Sequence, residues 1–160
     1  MVRYEPAGPN PTDTRCQDGT RALGLAIKST FPEFLVFEQG YGCFNHRRQT
    51  SGTGWSLHAE GRALDIGVPF RHKQLGWELG CHLVNKRTTY GVMRVIWDGH
   101  IWSIEDRNPW RPLKPTSQQH HDHLHVEQYW EAARRSPAFG TVYEQSLREF
   151  RVELADAGRG

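Results

Sequence analysis

The sequence predicts an α+β domain with a small, mostly antiparallel sheet flanked by helices. Three observations carry that prediction. Apolar residues recur at helical spacing in several segments, and short runs rich in β-branched and aromatic residues lie between them. The pair Asp98-Gly99 joins two such runs at the spacing of a tight hairpin. Helices set around a hairpin-built sheet make an α+β arrangement, and 160 residues suit one domain, 1–160, with a core of its own.

Residues 1–15, rich in Pro, Thr and Asn, are expected as an extended arm. A first helix should start at Asp18 as N-cap and run through Leu23, Ile27 and Phe31, stopping before Pro32. The apolar run Phe34-Leu35-Val36-Phe37 reads as a strand. Gly40 to Trp55, with its four glycines, reads as a long loop of the kind that usually carries function in compact domains. Ala63 to Val68 reads as a strand closed by Pro69. Arg71 to Lys86 follows as a helix with Leu75, Leu79, His82 and Leu83 on one face. Val92–Trp97 and His100–Ile104 form the predicted hairpin, Glu105 to Gln119 loops out, and Asp122–Glu127 returns as a strand. A short helix over Tyr129–Arg135 is broken by Pro137, a last helix covers Thr141–Leu154, and 155–160 should fray.

With 37% hydrophobic and 24% charged residues the composition is that of an ordinary globular protein, but six Trp and nine His exceed what packing alone asks for. A net charge of +2 is too mild to point to nucleic acid. No apolar run approaches a membrane span, and the N-terminus lacks the apolar centre of a secretory signal, so synthesis in the cytoplasm is expected. A monomer is expected. Cys16, Cys43 and Cys81 include no CxxC pair; they read as idle thiols or, for the first two, as a disulfide.

Two clusters carry chemistry. Ser56-x-His58-x-x-Gly61-x-Ala63-x-Asp65 places an imidazole and a carboxylate seven positions apart, and His120-His121-Asp122-His123-Leu124-His125 follows some sixty residues later. His58, Asp65 and His125 form a two-nitrogen, one-oxygen set, which suits a catalytic zinc that keeps its fourth position open. On a strand His123 and His125 share one face while Leu124 points to the core. Asp65, in an apolar strand, needs a cation to offset its burial, and Gly61 supplies the tight turn between the two ligands.

Asp122, three residues before His125, is the candidate general base, and His123 the candidate donor to a developing oxyanion. Arg47, or alternatively Arg48, is placed to polarise an amide carbonyl. Ser56 either hydrogen-bonds the ligating carboxylate or is a loop hydroxyl. Trp97 and Trp102, on the hairpin, either wall the cleft or belong to the core. His120, His121, Glu60 and Glu127 read as solvated, and Arg62 as an exposed arginine or a contact for a substrate carboxylate.

These paired motifs resemble those of the lysostaphin, D-Ala-D-Ala carboxypeptidase and hedgehog superfamily of zinc peptidases. The likeness spans roughly Phe44 to Gln128 and is closer to D-Ala-D-Ala carboxypeptidases and to L-alanyl-D-glutamate peptidase domains of phage endolysins. The resemblance implies a hedgehog/D-Ala-D-Ala peptidase-like fold and Zn2+ held by His58, Asp65 and His125. It also implies Asp122 as base, an Asp there favouring the endolysin-like branch, and an arginine at Arg47-Arg48 on the substrate carbonyl. The implied activity is hydrolysis of an amide bond in the peptide stem or cross-link of bacterial peptidoglycan. The enzyme would reach the wall on release at lysis or as a component of the phage particle. A D-Ala-D-Ala carboxypeptidase and a non-catalytic zinc-containing binding module are the alternatives.

Overall fold

The computed structural model describes residues 3–50, 52–106 and 110–159. Loop and terminal expectations that fall on residues 1, 2, 51, 107–109 and 160 lie outside the described residues. Among the described residues five helices, α1 (Asp18–Thr30), α2 (Lys73–Asn85), α3 (Arg87–Tyr90), α4 (Trp130–Ala133) and α5 (Gly140–Asp156), accompany five strands. The strands are β1 (Ala63–Gly67), β2 (Val92–Trp97), β3 (His100–Ser103), β4 (Arg111–Pro112) and β5 (His123–Gln128). They form one sheet in the order β1-β5-β2-β3-β4 with every pairing antiparallel, so the coarse α+β class stands.

The β2–β3 connection is the two-residue turn read from Asp98-Gly99. Both residues have positive φ (46° and 76°), as the strand twist favours in such hairpins.

Strand alternation divides the sheet into a packed face and a chemical face. Leu64, Ile66, Val95, Trp97, Leu124 and Val126 join Leu23 and Ile27 of α1, Leu79 and Leu83 of α2, and Leu147 and Phe150 of α5 in one core. The opposite phase, Asp65 on β1, Arg94 and Ile96 on β2, and His123, His125 and Glu127 on β5, turns away from the helices. β5 lies between β1 and β2, which sets His125 opposite Asp65 on one side and Ile96 on the other.

Several expectations are corrected. Phe34 to Phe37 makes no strand: Leu35 forms a single bridge to Gly67, and Phe37 turns the chain with φ 59°. Phe34 and Val36 are nonetheless core residues, so the apolar run reflects burial rather than pairing. Short turns over Leu57–Glu60, Phe70–His72 and Pro137–Phe139, the brief helix α3 and the two-residue β4 had no counterpart in the sequence reading. The last helix runs two residues past Leu154, and its end is capped rather than frayed, Arg159 N–H donating to Leu154 O at 2.8 Å.

Cys16 and Cys43 form a disulfide, leaving Cys81 free and half-buried; idle thiols were the wrong reading for the first two. The arm has no regular element in residues 3–15, yet it is docked, with Glu5 O and Pro6 O accepting from the Arg62 guanidinium at 2.6 and 2.8 Å.

Candidate metal centre

His58 is delivered by a capped turn. Ser56 Oγ accepts from His58 N–H at 3.3 Å, so this hydroxyl fixes the backbone of the ligand-bearing turn rather than bonding the Asp65 carboxylate. At the other end Gly61 has φ 66°, and a Cβ there would lie 2.2 Å from Arg15 O. Both the positive φ and the close approach require glycine. The chain then enters β1, where Asp65 projects from the chemical face directly opposite His125.

His58, Asp65 and His125 converge. His58 Nε2 is 3.1 Å from Asp65 Oδ2 and 3.3 Å from His125 Nδ1, and His125 Nδ1 is 2.9 Å from Asp65 Oδ1. These three are a cluster able to hold a metal ion, with the two histidines buried and Asp65 largely so. The donor set passes a simple test of fit. Ligand atoms bound tetrahedrally at 2.0–2.1 Å stand roughly 3.3 Å apart, close to the spacing found here.

Without a cation the cluster is a tightly coupled ion network. Burial disfavours a charged His125, but the bonds to Asp65 and Glu127 outweigh it and raise the imidazole to about 9. Burial likewise works against ionised Asp65, and the His125 and His58 rings override it, holding the carboxyl far below the ordinary range.

Glu127, expected in solvent, is buried and is part of the site. Its Oε1 lies 3.0 Å from His125 Nε2, so it takes that N–H and leaves Nδ1 for the cluster, the arrangement that orients a metal-bound histidine. Burial pushes Glu127 up, and His125 with Arg94 pulls it down to about 2. The available signal was its position two residues beyond His125 on one strand face.

Asp122 and His123 form a second pair beside the first. His123 Nδ1 is 2.8 Å from Asp122 Oδ1, and His123 Nε2 is 3.7 Å from Asp65 Oδ1. A carboxylate only accepts, so Nδ1 carries a proton, and in the neutral form of the ring the lone pair is at Nε2. Burial raises Asp122, but its bonds from His123 and from Tyr41 Oη, 3.3 Å away, hold it below the usual value and ionised. Tyr41 was not foreseen. It lies against Gly67, where a Cβ would meet the ring at 2.4 Å, so a glycine in β1 makes room for it.

A cleft of about 200 Å³ opens on His125, lined by Arg47, Ile96, Ile101, Leu113 and His120 among others. Arg47 reaches it, whereas Arg48 is engaged elsewhere, donating to Thr53 O at 3.0 Å and lying over the Trp55 ring. Trp97 and Trp102 do not wall it. Trp97 shares the packed phase of β2 with Val95, Trp102 stands opposite Val95, and both belong to the core, leaving Ile96 and Ile101 as the apolar floor.

Arg62 is wholly buried, bonded to Glu60 Oε2 at 2.6 Å, so neither residue is solvated. His120, also expected in solvent, is partly buried, with its ring 4.7 Å from that of His123 and 5.5 Å from that of His125. Burial, then the neighbouring His125 and His123, lowers it to about 4. His121 is exposed, as read, and binds Asp98 Oδ1 at 2.8 Å.

The model of the family described as VldE, C-terminal domain, matches residues 12–124, well over half of the chain. The chain belongs to the VldE C-terminal domain family. The matched region of this VldE C-terminal domain includes His58, Asp65, Asp122 and His123 and stops one residue short of His125. No curated protein and no solved structure matches the chain. Membership assigns no chemistry by itself; that rests on the side chains. No helix among the described residues is long and apolar enough to cross a membrane.

Proposed function

We propose that this domain is a zinc-dependent peptidase of hedgehog/D-Ala-D-Ala peptidase-like fold, hydrolysing an amide bond in the peptide stem or cross-link of bacterial peptidoglycan as a phage endolysin-type endopeptidase. The observation that carries the reading is the convergence of His58 Nε2, an Asp65 oxygen and His125 Nδ1 next to the Asp122–His123 pair. A site kept only for structure has no use for that pair. The Cys16–Cys43 disulfide supports work in an oxidising compartment outside the cytosol, where such a substrate is found.

His58, Asp65 and His125 would hold the ion, with Glu127 fixing the His125 ring. A zinc ion supplies Lewis acidity at such a site, acidifying water and polarising an amide carbonyl. Asp122 and His123 handle the proton together: His123 Nε2 is open to accept one, and the ionised Asp122 beside Nδ1 stabilises the imidazolium that results. Only in that protonated form does His123 donate, to the oxyanion or to the departing amine. Arg47, on the cleft wall, steadies the substrate carbonyl.

The test is direct. Purified protein with zinc should release new amino termini from peptidoglycan, and Asp122→Asn should lower the rate by about 10²–10⁴-fold while retaining metal. Full activity in that variant refutes the assigned pair. Mass spectrometry of the muropeptide products separates an endopeptidase from a carboxypeptidase, which liberates free D-alanine.

A further inference from the structure

We propose that His120 is a substrate-contacting residue whose imidazole Nε2 accepts a hydrogen bond from a backbone N–H of the peptide held in the cleft; this rests on the peptidase reading above. The first observation is backbone strain. His120 has φ 52°, in the left-handed region that a residue with a Cβ rarely adopts. The β2–β3 turn holds it there, Asp98 N–H donating to His120 O at 2.9 Å and Gly99 N–H to Gln119 O at 2.7 Å. Such strain persists where surrounding structure enforces it, and it concentrates at functional sites.

The second observation is what the enforced backbone does with the ring. It brings His120 to the lining of the cleft that Ile96 and Ile101 also line, with its ring 5.5 Å from that of His125. His120 Nδ1 lies 2.8 Å from Gln118 O; a carbonyl only accepts, so Nδ1 carries the proton and Nε2 a lone pair. No described residue bonds Nε2, and His120 is not one of the three clustered ligands. An acceptor with no protein donor, on the wall of a cleft floored by isoleucine, matches the amide N–H of an extended peptide. The Nδ1 bond is local, spanning two residues.

The experiment uses the full chain loaded with zinc, with purified muropeptides as probe, and two variants, His120→Gly, which tolerates the left-handed backbone, and His120→Gln, which keeps an acceptor at the reach of Nε2. His120→Gly should raise KM about tenfold with kcat nearly unchanged, because a neutral hydrogen bond to substrate is lost in ground and transition states alike. Its Tm should not fall below that of the parent, and zinc affinity should be unaltered. His120→Gln, whose side-chain oxygen can reach the place of the imidazole Nε2, should recover much of the KM. An unchanged KM in His120→Gly overturns the inference and leaves the peptidase reading standing. A lower Tm or lost zinc with the KM effect overturns it by making the role structural. A zinc-loaded parent that cleaves no muropeptide overturns both.

Discussion

A buried glutamate beside a buried histidine is costly unless charge or hydrogen bonding compensates both, and Glu127 and His125 compensate each other at 3.0 Å. If Glu127 holds the His125 ring for an ion, Glu127→Gln should weaken zinc binding about 10–100-fold, read by competition with a chelating dye, with the folded state intact by circular dichroism. Equal affinity in the variant would remove Glu127 from the centre. At this scale the motif residues were legible because their spacing is local: His58 and Asp65 share one turn and strand, and Asp122, His123 and His125 lie within four positions. Glu127 and His120 were misread for opposite reasons. Glu127 obeyed a strand phase already used for His123 and His125, while the placement of His120 depends on a left-handed backbone held by a distant hairpin turn.

Among the elements, the loop ahead of the site and the entry to α1 are fastened to the ligand-bearing turn by several independent ties. Gln17 N–H donates to Gly61 O at 2.9 Å, Asn45 N–H to His58 O at 3.1 Å, and Asp65 N–H to Gly42 O at 2.9 Å. The Cys16–Cys43 bond joins these two segments across 27 residues of sequence. Reducing it should cost about 3 kcal/mol and lower Tm by roughly 6–12 °C. Calorimetry with and without reductant checks this; Cys81→Ser should leave the reductant response intact, and Cys16→Ser should abolish it. The strands around the site were legible from alternation and from Asp98-Gly99. Phe34–Phe37 was not, because a short apolar run buried in a bend has the same composition as a paired strand.

Over the whole molecule, antiparallel order places β5 between β1 and β2, helices cover one face, and the other is left for polar side chains. The α+β class followed from local patterns. The docking of the N-terminal arm did not: Arg62 reaches Glu5 and Pro6 from more than fifty positions away, and Arg94 donates to Tyr4 Oη at 2.8 Å across 90. Nothing in a proline-rich segment announces such partners. The burial of Arg62 and Glu60 follows from the same long-range closure, which explains why both were read as solvated. Anomalous diffraction at the zinc edge from crystals grown with the metal should show one peak about 2.0–2.2 Å from His58 Nε2, an Asp65 oxygen and His125 Nδ1. Crystals that bind zinc elsewhere, or hold these three side chains together by hydrogen bonds alone at saturating zinc, would contradict the metal centre.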